Sequence, residues 1–233
     1  MTSPPDDTPS RLIFAAGEVF AEKGFEAASV REICSRAETS LASIGYHFRD
    51  KEGLYTEVVK AAACSPPSDH DLHWPAGTAP ERKLQELIHA RLASMLDASL
   101  PRWADQIMVR AMAEPTQATL EFVVQSIRPK FEQLFSVLAE LLPPDTSEIN
   151  LHLAGISVIA QCMHYRIQGT ITRLIVGEEE YRGYTVERLA EHIARFSLAA
   201  LGHGSFPADA TQRGAKRGAK RGTKRGARQG SPP

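Results

Sequence analysis

Apolar residues recur at helical spacing along most of this chain, and no stretch shows the alternation typical of a half-buried β-strand. Within the first sixty-odd residues the spacing predicts four helices. Gly24 supplies a stop for the first, while Ser29 and Ser40 precede the second and third, where a serine hydroxyl can accept a free backbone N–H as an N-cap. The expected helices begin near residue 11 and continue at 30–36, 41–48 and 51–63.

Further helices are expected beyond a loop rich in Pro, Ser, Asp and Gly, which runs from Ser65 to Pro80. Pro115 and Pro129 stand where a helix begins or kinks, because proline lacks the donor N–H and fixes φ. The pattern therefore predicts an all-α protein. The expected helices of this second part cover residues 81–97, 104–113, 116–128, 130–142, 147–168 and 184–201.

Charge is distributed unevenly along the chain. Eight Lys and Arg and no acid lie between Arg213 and Arg228, in the repeat RGAK, RGAK, RGTK, RGAR. With these eight set apart from the 27 Lys and Arg of the whole chain, 19 remain against 28 Asp and Glu, a net charge of −9. A basic tail on an acidic body indicates a polyanionic partner, most commonly nucleic acid.

Composition also excludes several classes of protein. Three dispersed cysteines without a CxxC pair favour a reducing cytoplasm over a disulfide framework, and the N-terminus lacks the pattern of a signal peptide. Polar residues interrupt the most apolar stretch, Ile149 to Ile167, so no membrane partner is expected. No glycine-rich phosphate loop, nucleophile elbow or HExxH motif occurs, and we therefore expect neither an enzyme nor a cofactor.

Two short helices joined by a turn of three or four residues form the arrangement that lays a recognition helix in the major groove of DNA. From Arg11 to Tyr55 the chain includes RLIFAAGEVFAEKGFEAASVREICSRA and then TSLASIGYHFRDKEGLY. This stretch resembles the helix-turn-helix domain of TetR-family transcriptional regulators, and YHF followed by K-x-x-L is its most specific part.

The resemblance implies which residues contact DNA. Hydroxyl groups and a cation suit phosphate oxygens, while base edges are read by the side chains that reach them. The alternative for Tyr46 and His47 is simple packing of the helix. The groove-facing positions are Ser40, Leu41, Ala42, Ser43 and Gly45, with Tyr46, His47 and Lys51 on the DNA backbone and Ser29 counted among the DNA-contacting positions.

The sequence departs from the family pattern at Glu38, where glycine is usual, and at Gly45, where a larger residue is usual. Glu38 must adopt an unfavourable φ, or the turn must differ. Between Arg11 and Lys60, seven Lys and Arg face eight acids, so this region is a weak electrostatic partner for DNA. We hypothesise that the basic tail supplies the missing attraction. The alternative is a solvated extension without function.

The second part of the chain resembles the CecR-like subfamily of TetR regulators in VRAMAEPT (109–116), SIRPKF (126–131) and AQCMHYRI (160–167). The resemblance implies that the last two long helices form a homodimer on a palindromic operator, that a cavity among the middle helices takes a small-molecule effector, and that repression is the usual mode. A helix that is apolar nearly all round, as at 151–167, independently needs burial on every side. Candidate effector-binding residues, each of which could equally be structural, are Arg110, Glu114, Gln161, His164 and Arg166.

Together these patterns divide the chain into four parts. We expect a disordered leader at 1–9, a helix-turn-helix DNA-binding domain at 10–63, a helical ligand-binding and dimerisation domain at 64–203, and a disordered basic tail at 204–233.

Three other interpretations stay open. The basic tail could lead an architectural DNA-binding protein with little sequence preference. Cys34 could sense oxidation, although the helical pattern buries it. A metal site is conceivable among Asp69, His70, Asp71 and His73, but their spacing matches no known metal motif.

Overall fold

The computed structural model describes residues 7–63 and 72–204, and every regular element in these ranges is helical. The metal interpretation therefore falls mostly outside the described residues, as does the basic tail. The elements are α1 (Thr8–Ala27), α2 (Val30–Arg36), α3 (Leu41–Phe48), α4 (Lys51–Ala63), α5 (Pro80–Met95), α6 (Ala104–Ala113), α7 (Gln117–Phe122), a π-helical turn (Val123–Ile127), α8 (Arg128–Leu141), α9 (Glu148–Val176), α10 (Glu178–Tyr181) and α11 (Val186–Ala200).

Two hydrophobic cores organise these helices. The first joins α1 to α4 with α6 and α7, and at its centre the rings of Phe20, Phe25 and Tyr55 contact one another. The second lies among α5, α8, α9 and α11. The helix-turn-helix therefore shares its core with α6 and α7 of the second part, and Gly17 on α1 is packed so closely against the ring of Trp103 that a Cβ would overlap it.

Several helix boundaries differ from those expected. Helix α1 begins at Thr8, within the expected leader, because the Asp7 carboxylate accepts a hydrogen bond from the backbone N–H of Ser10. Gly24 interrupts that helix with φ 79°, and the chain continues helical to Ala27. Helix α9 continues to Val176, well beyond the expected end at 168, and stops at Gly177, whose φ is 91°.

The region expected as one helix at 116–128 is α7 followed by the π-helical turn, which leads directly into α8. A π-turn of this kind widens the helix and is frequent at functional sites. Within residues 7–63 and 72–204, none of the helices combines the length and the hydrophobicity that a membrane-spanning segment requires.

Candidate functional sites

Helix α3 is the last helix of the helix-turn-helix, and one of its faces is exposed. Ile44 and Phe48 are buried and hold α3 against the core. Leu41 is 51% exposed and Tyr46 is 86% exposed. Ala42 and Gly45 are exposed beside them, and a Cβ at Gly45 would meet no atom within 4 Å. The residues expected to face the groove therefore form one accessible surface.

Hydroxyl groups cluster at the N-terminus of α3. The Ser43 hydroxyl lies 2.8 Å from that of Thr39 and 3.1 Å from that of Ser40. Ser40 and Ser29 occupy the N-cap positions of α3 and α2, but neither side chain makes the expected capping hydrogen bond. Both serines are exposed, so their hydroxyls can turn toward an external acceptor such as a phosphate.

The three residues expected to contact the DNA backbone, Tyr46, His47 and Lys51, differ in whether their side chains already have partners in the protein. Tyr46 and His47 are exposed and contact each other edge to face, with ring centroids 4.8 Å apart, so core packing does not account for them. Lys51 Nζ instead donates to the carbonyl oxygen of Glu26 at 3.2 Å and lies over the ring of Phe25. Its ammonium thus ties α4 to the end of α1, with donor capacity left for a phosphate.

The turn between α2 and α3 takes the left-handed conformation at Glu38, whose φ is 51°. This is the first of the two alternatives for that position, and it costs backbone strain because Glu carries a Cβ. The turn is nevertheless fixed by the N–H of Thr39, which donates to the carbonyl oxygen of Cys34 at 3.0 Å.

Two cations of the helix-turn-helix, Lys23 and Arg36, are neutralised by carboxylates within it. Arg36 donates to Glu22 through both Nη atoms, at 3.0 and 2.7 Å, and to Glu32 at 2.9 Å. The hydrogen bonds from Arg36 lower the pKa of Glu22, and those from Lys23 and then Arg36 lower the pKa of Glu32. Arg31 and Arg49 are exposed and make no ion pair within the described residues. The sequence resemblance did not single out these two cations.

The second site is a cavity of about 360 Å³ between the two cores. This volume lies in the range of roughly 300–1,000 Å³ that small-molecule sites occupy. Its walls come from α4 to α9 and include the π-helical turn, through Val123 and Ile127. Four methionines contribute to the apolar wall: Met95, Met108, Met112 and Met163.

Of the five residues expected to bind an effector, Arg166 lines this cavity. The other four lie outside its lining. Arg110 Nε donates to the carbonyl oxygen of Ala21 at 3.0 Å and so caps α1 before its break at Gly24. Gln161 donates to Ser157 and Ser197, His164 lies 2.9 Å from the Thr172 hydroxyl, and Glu114 is exposed at the end of α6.

Helix α4 connects the cavity to the helix-turn-helix. Val59 and Ala63 line the cavity from one side of α4, while the helix packs against α1 and α3 on the other. Arg166 Nη2 donates to the carbonyl oxygen of Ala62 at 2.7 Å, and its Nε donates to Asp105 at 3.1 Å. Burial raises the pKa of Tyr55 on α4, and the side chain of Thr119, another cavity residue, opposes that rise.

An exposed apolar stripe follows α9 and continues beside α11. Leu174 and Ile175 are each 77% exposed, and Phe196 on α11 adds an aromatic ring. Several large apolar side chains exposed along one helix are typical of an interaction site. Its apolar members are Ile149, Leu153, Ile156, Ile171, Leu174, Ile175 and Phe196.

The two described cysteines are poorly suited to redox sensing. Burial raises the pKa of the Cys34 thiol, whose Sγ donates to the carbonyl oxygen of Ser40 at 3.5 Å. Burial also raises the pKa of Cys162 to about 12, against the opposing charge of Arg91. The reactive thiolate is therefore disfavoured at both positions.

Comparison with known proteins adds two family matches. The model of bacterial regulatory proteins of the tetR family matches residues 12–58, and the model of the C-terminal domain of the HTH-type transcriptional dual regulator CecR matches residues 80–201.

Among curated relatives, an HTH-type transcriptional repressor of Mycobacterium tuberculosis is 24% identical over 179 residues, which are 76% of this chain and 82% of that protein. UidR of Escherichia coli, an HTH-type transcriptional regulator, is 36% identical over 52 residues, which are 22% of this chain and 26% of UidR.

Solved structures share the fold. A TetR-like transcriptional regulator from Rhodococcus sp. RHA1 superposes with a TM-score of 0.55 at 18% identity, over 87% of this chain and all of that one. A transcriptional regulator from Pseudomonas aeruginosa gives a TM-score of 0.60 at 20% identity, over 84% of this chain and 90% of its own.

Proposed function

This chain belongs to the TetR family of bacterial regulatory proteins, with a CecR-type C-terminal domain, and on that premise we propose that it is an effector-released repressor. It binds a palindromic operator as a homodimer and leaves the DNA when a small molecule enters the cavity. The observation that carries the proposal is the position of α4, one helix that lines the cavity and supports the recognition helix.

On the DNA side, the exposed face of α3 enters the major groove. Leu41 and Ala42 offer apolar contact to thymine methyl groups, and the absence of a side chain at Gly45 lets the helix approach the bases closely. The hydroxyls of Ser40 and Tyr46, with the His47 ring, fix the register on the phosphates. Shape readout contributes the remaining specificity.

Dimerisation follows from the exposed stripe on α9 and α11. Pairing two copies through a two-fold axis buries the same stripe on both chains and forms a four-helix interface. Two recognition helices then face two half-sites of the operator, so the spacing between them decides whether both can dock.

Effector release requires that the ligand bind one dimer conformation more tightly than the other. A ligand that displaces Arg166 from Ala62, or presses on Val59 and Ala63, changes the position of α4. Movement of α4 shifts α3 through the shared core and alters the distance between the recognition helices. Repression is supported by the mycobacterial relative, which is named a repressor.

The test is to isolate the bound DNA from genomic fragments and to measure the stoichiometry of the complex. We expect one short inverted repeat, occupied by two copies of the chain. A single unrepeated half-site, or a monomer on the full site, contradicts the dimeric mechanism. Tyr46→Ala should weaken the complex, whereas Val124→Ala, at an exposed apolar residue of the π-helical turn outside both α3 and the α9 stripe, serves as the control.

A further inference from the structure

The charged side chains that line the cavity are all positive. Three cationic side chains line it, and they are almost fully buried: Arg91 is 9% exposed, Lys130 is 4% exposed and the Arg166 side chain is 6% exposed. Among the described residues no Asp or Glu lines the cavity. Asp105 pairs with Arg166 from outside the lining, and Arg91 and Lys130 also interact with other groups of the protein.

Burial makes this concentration of charge significant. A cation in an apolar environment loses its hydration, and its field acts over a longer distance than at a surface. A low-dielectric cavity lined by one sign of charge concentrates ligands of the opposite sign. The hydroxyls of Ser94 and Thr119 lie in the same lining and can complete the hydrogen bonding of an acidic group.

The rest of the lining is apolar and adaptable. Methionine side chains are flexible and polarizable, so they fit apolar bodies of irregular shape, and four of them line this cavity. Phe122 and Phe131 add aromatic surface. A ligand that satisfies both parts must carry a negative group and an apolar body.

We propose that the effector is an amphipathic organic anion, whose acidic group is held by Lys130, Arg91 and Arg166 and whose apolar body lies among the methionines. This inference rests on the proposed function and names the ligand class of the same cavity. Because Arg166 also holds α4 through Ala62, the acidic group competes directly for the contact that stabilises the DNA-binding arrangement.

Binding of decanoate, decanol and decyltrimethylammonium to the full chain, measured by calorimetry without DNA, tests this inference. Decanoate should bind at least about tenfold more tightly than decanol, since charge-assisted hydrogen bonds are stronger than neutral ones. Decyltrimethylammonium should not bind. The Lys130→Met variant keeps a side chain of similar length without the charge, and it should lose the preference for decanoate over decanol. Lys60→Met removes a cation outside the cavity and should retain that preference.

Equal binding of decanoate and decanol, no binding of decanoate, or a preference that survives in both Lys130→Met and Arg91→Met overturns the inference. Thermal unfolding of each variant verifies that it is folded. Operator binding measured on the same samples separates the two levels: intact specific binding leaves the proposed regulator standing with another ligand class, whereas its absence contradicts the proposed function itself.

Discussion

Arg166 of α9 donates a hydrogen bond from Nη2 to the carbonyl oxygen of Ala62 at 2.7 Å, across 104 residues of sequence. That carbonyl lies in the last turn of α4, where helical carbonyls have no partner within the helix. One side chain therefore lines the cavity and also completes the end of the helix that supports the DNA-binding unit. This contact is the most direct structural connection between the two sites.

Arg166→Gln should uncouple effector from operator. The shorter neutral side chain loses both the ion pair with Asp105 and the reach to Ala62, so effector binding no longer competes with a fixed α4. The measurement is the operator affinity without effector divided by the operator affinity with effector, and this ratio should approach one in the variant. Asp105→Asn, which keeps the Ala62 contact, should retain most of the ratio. Equal coupling in Arg166→Gln and in the unchanged chain would falsify this role.

Gly45→Ala should raise the stability of the fold and lower its affinity for DNA. A Cβ at Gly45 meets no neighbour, so the free energy of unfolding should rise by about 0.5–1 kcal/mol, the usual difference between Ala and Gly within a helix. DNA affinity should fall, because the added methyl group stands on the groove-facing surface. At Gly53 the same substitution would overlap the carbonyl oxygen of Phe48 and should destabilise the fold. Denaturant unfolding and operator titration measure the two effects, and unchanged affinity in Gly45→Ala contradicts the assignment of this face.

Arg49→Gln should weaken DNA binding similarly on all sequences. Arg49 is exposed directly after α3 and makes no ion pair within the described ranges, so its charge is available to a phosphate. The slope of log affinity against log salt should fall in magnitude by about 1. Lys60→Gln is the control, because Lys60 is paired with Glu57 at 2.7 Å. A slope that changes equally in both variants excludes a specific contact at Arg49.

Leu153→Glu should produce a monomer. Leu153 is 56% exposed on the α9 stripe, where a carboxylate in the paired interface would be buried without a partner. Operator affinity should fall with dimerisation while the helical content is retained. Val124→Glu places the same charge at a 58% exposed apolar residue of the π-helical turn and should remain dimeric. Sedimentation velocity distinguishes the two, and a dimeric Leu153→Glu variant places the interface elsewhere.

The sequence predicts local elements better than distant contacts. The bounds expected for α2, α3 and α4 agree with the structure, because each is a short periodic segment with a clear start. The helical periodicity predicts neither the π-helical turn nor the extension of α9 to Val176, and the extension is held by tertiary packing. Thr172 is buried there, and Tyr181 packs directly against Gly169.

In the two candidate sites, too, local features are predictable from the sequence, whereas contacts between distant residues are not. The exposed face of α3 follows from helical periodicity together with the family resemblance. The roles of Arg110 and Arg166 depend instead on backbone carbonyls 89 and 104 residues away, which no spacing along the chain reveals. The sequence does not reveal Lys130, because a lysine after proline at a helix start is ordinarily exposed, whereas this one is buried in the cavity wall.

The most direct test of the central claim is a genomic footprint of the purified full chain at physiological salt, repeated after deletion of residues Arg213 to Arg228. We expect both forms to protect one short palindrome, with the basic tail contributing only salt-dependent affinity. Diffuse protection that disappears with the tail would mean that the DNA binding resides in the tail of an architectural protein and not in α3.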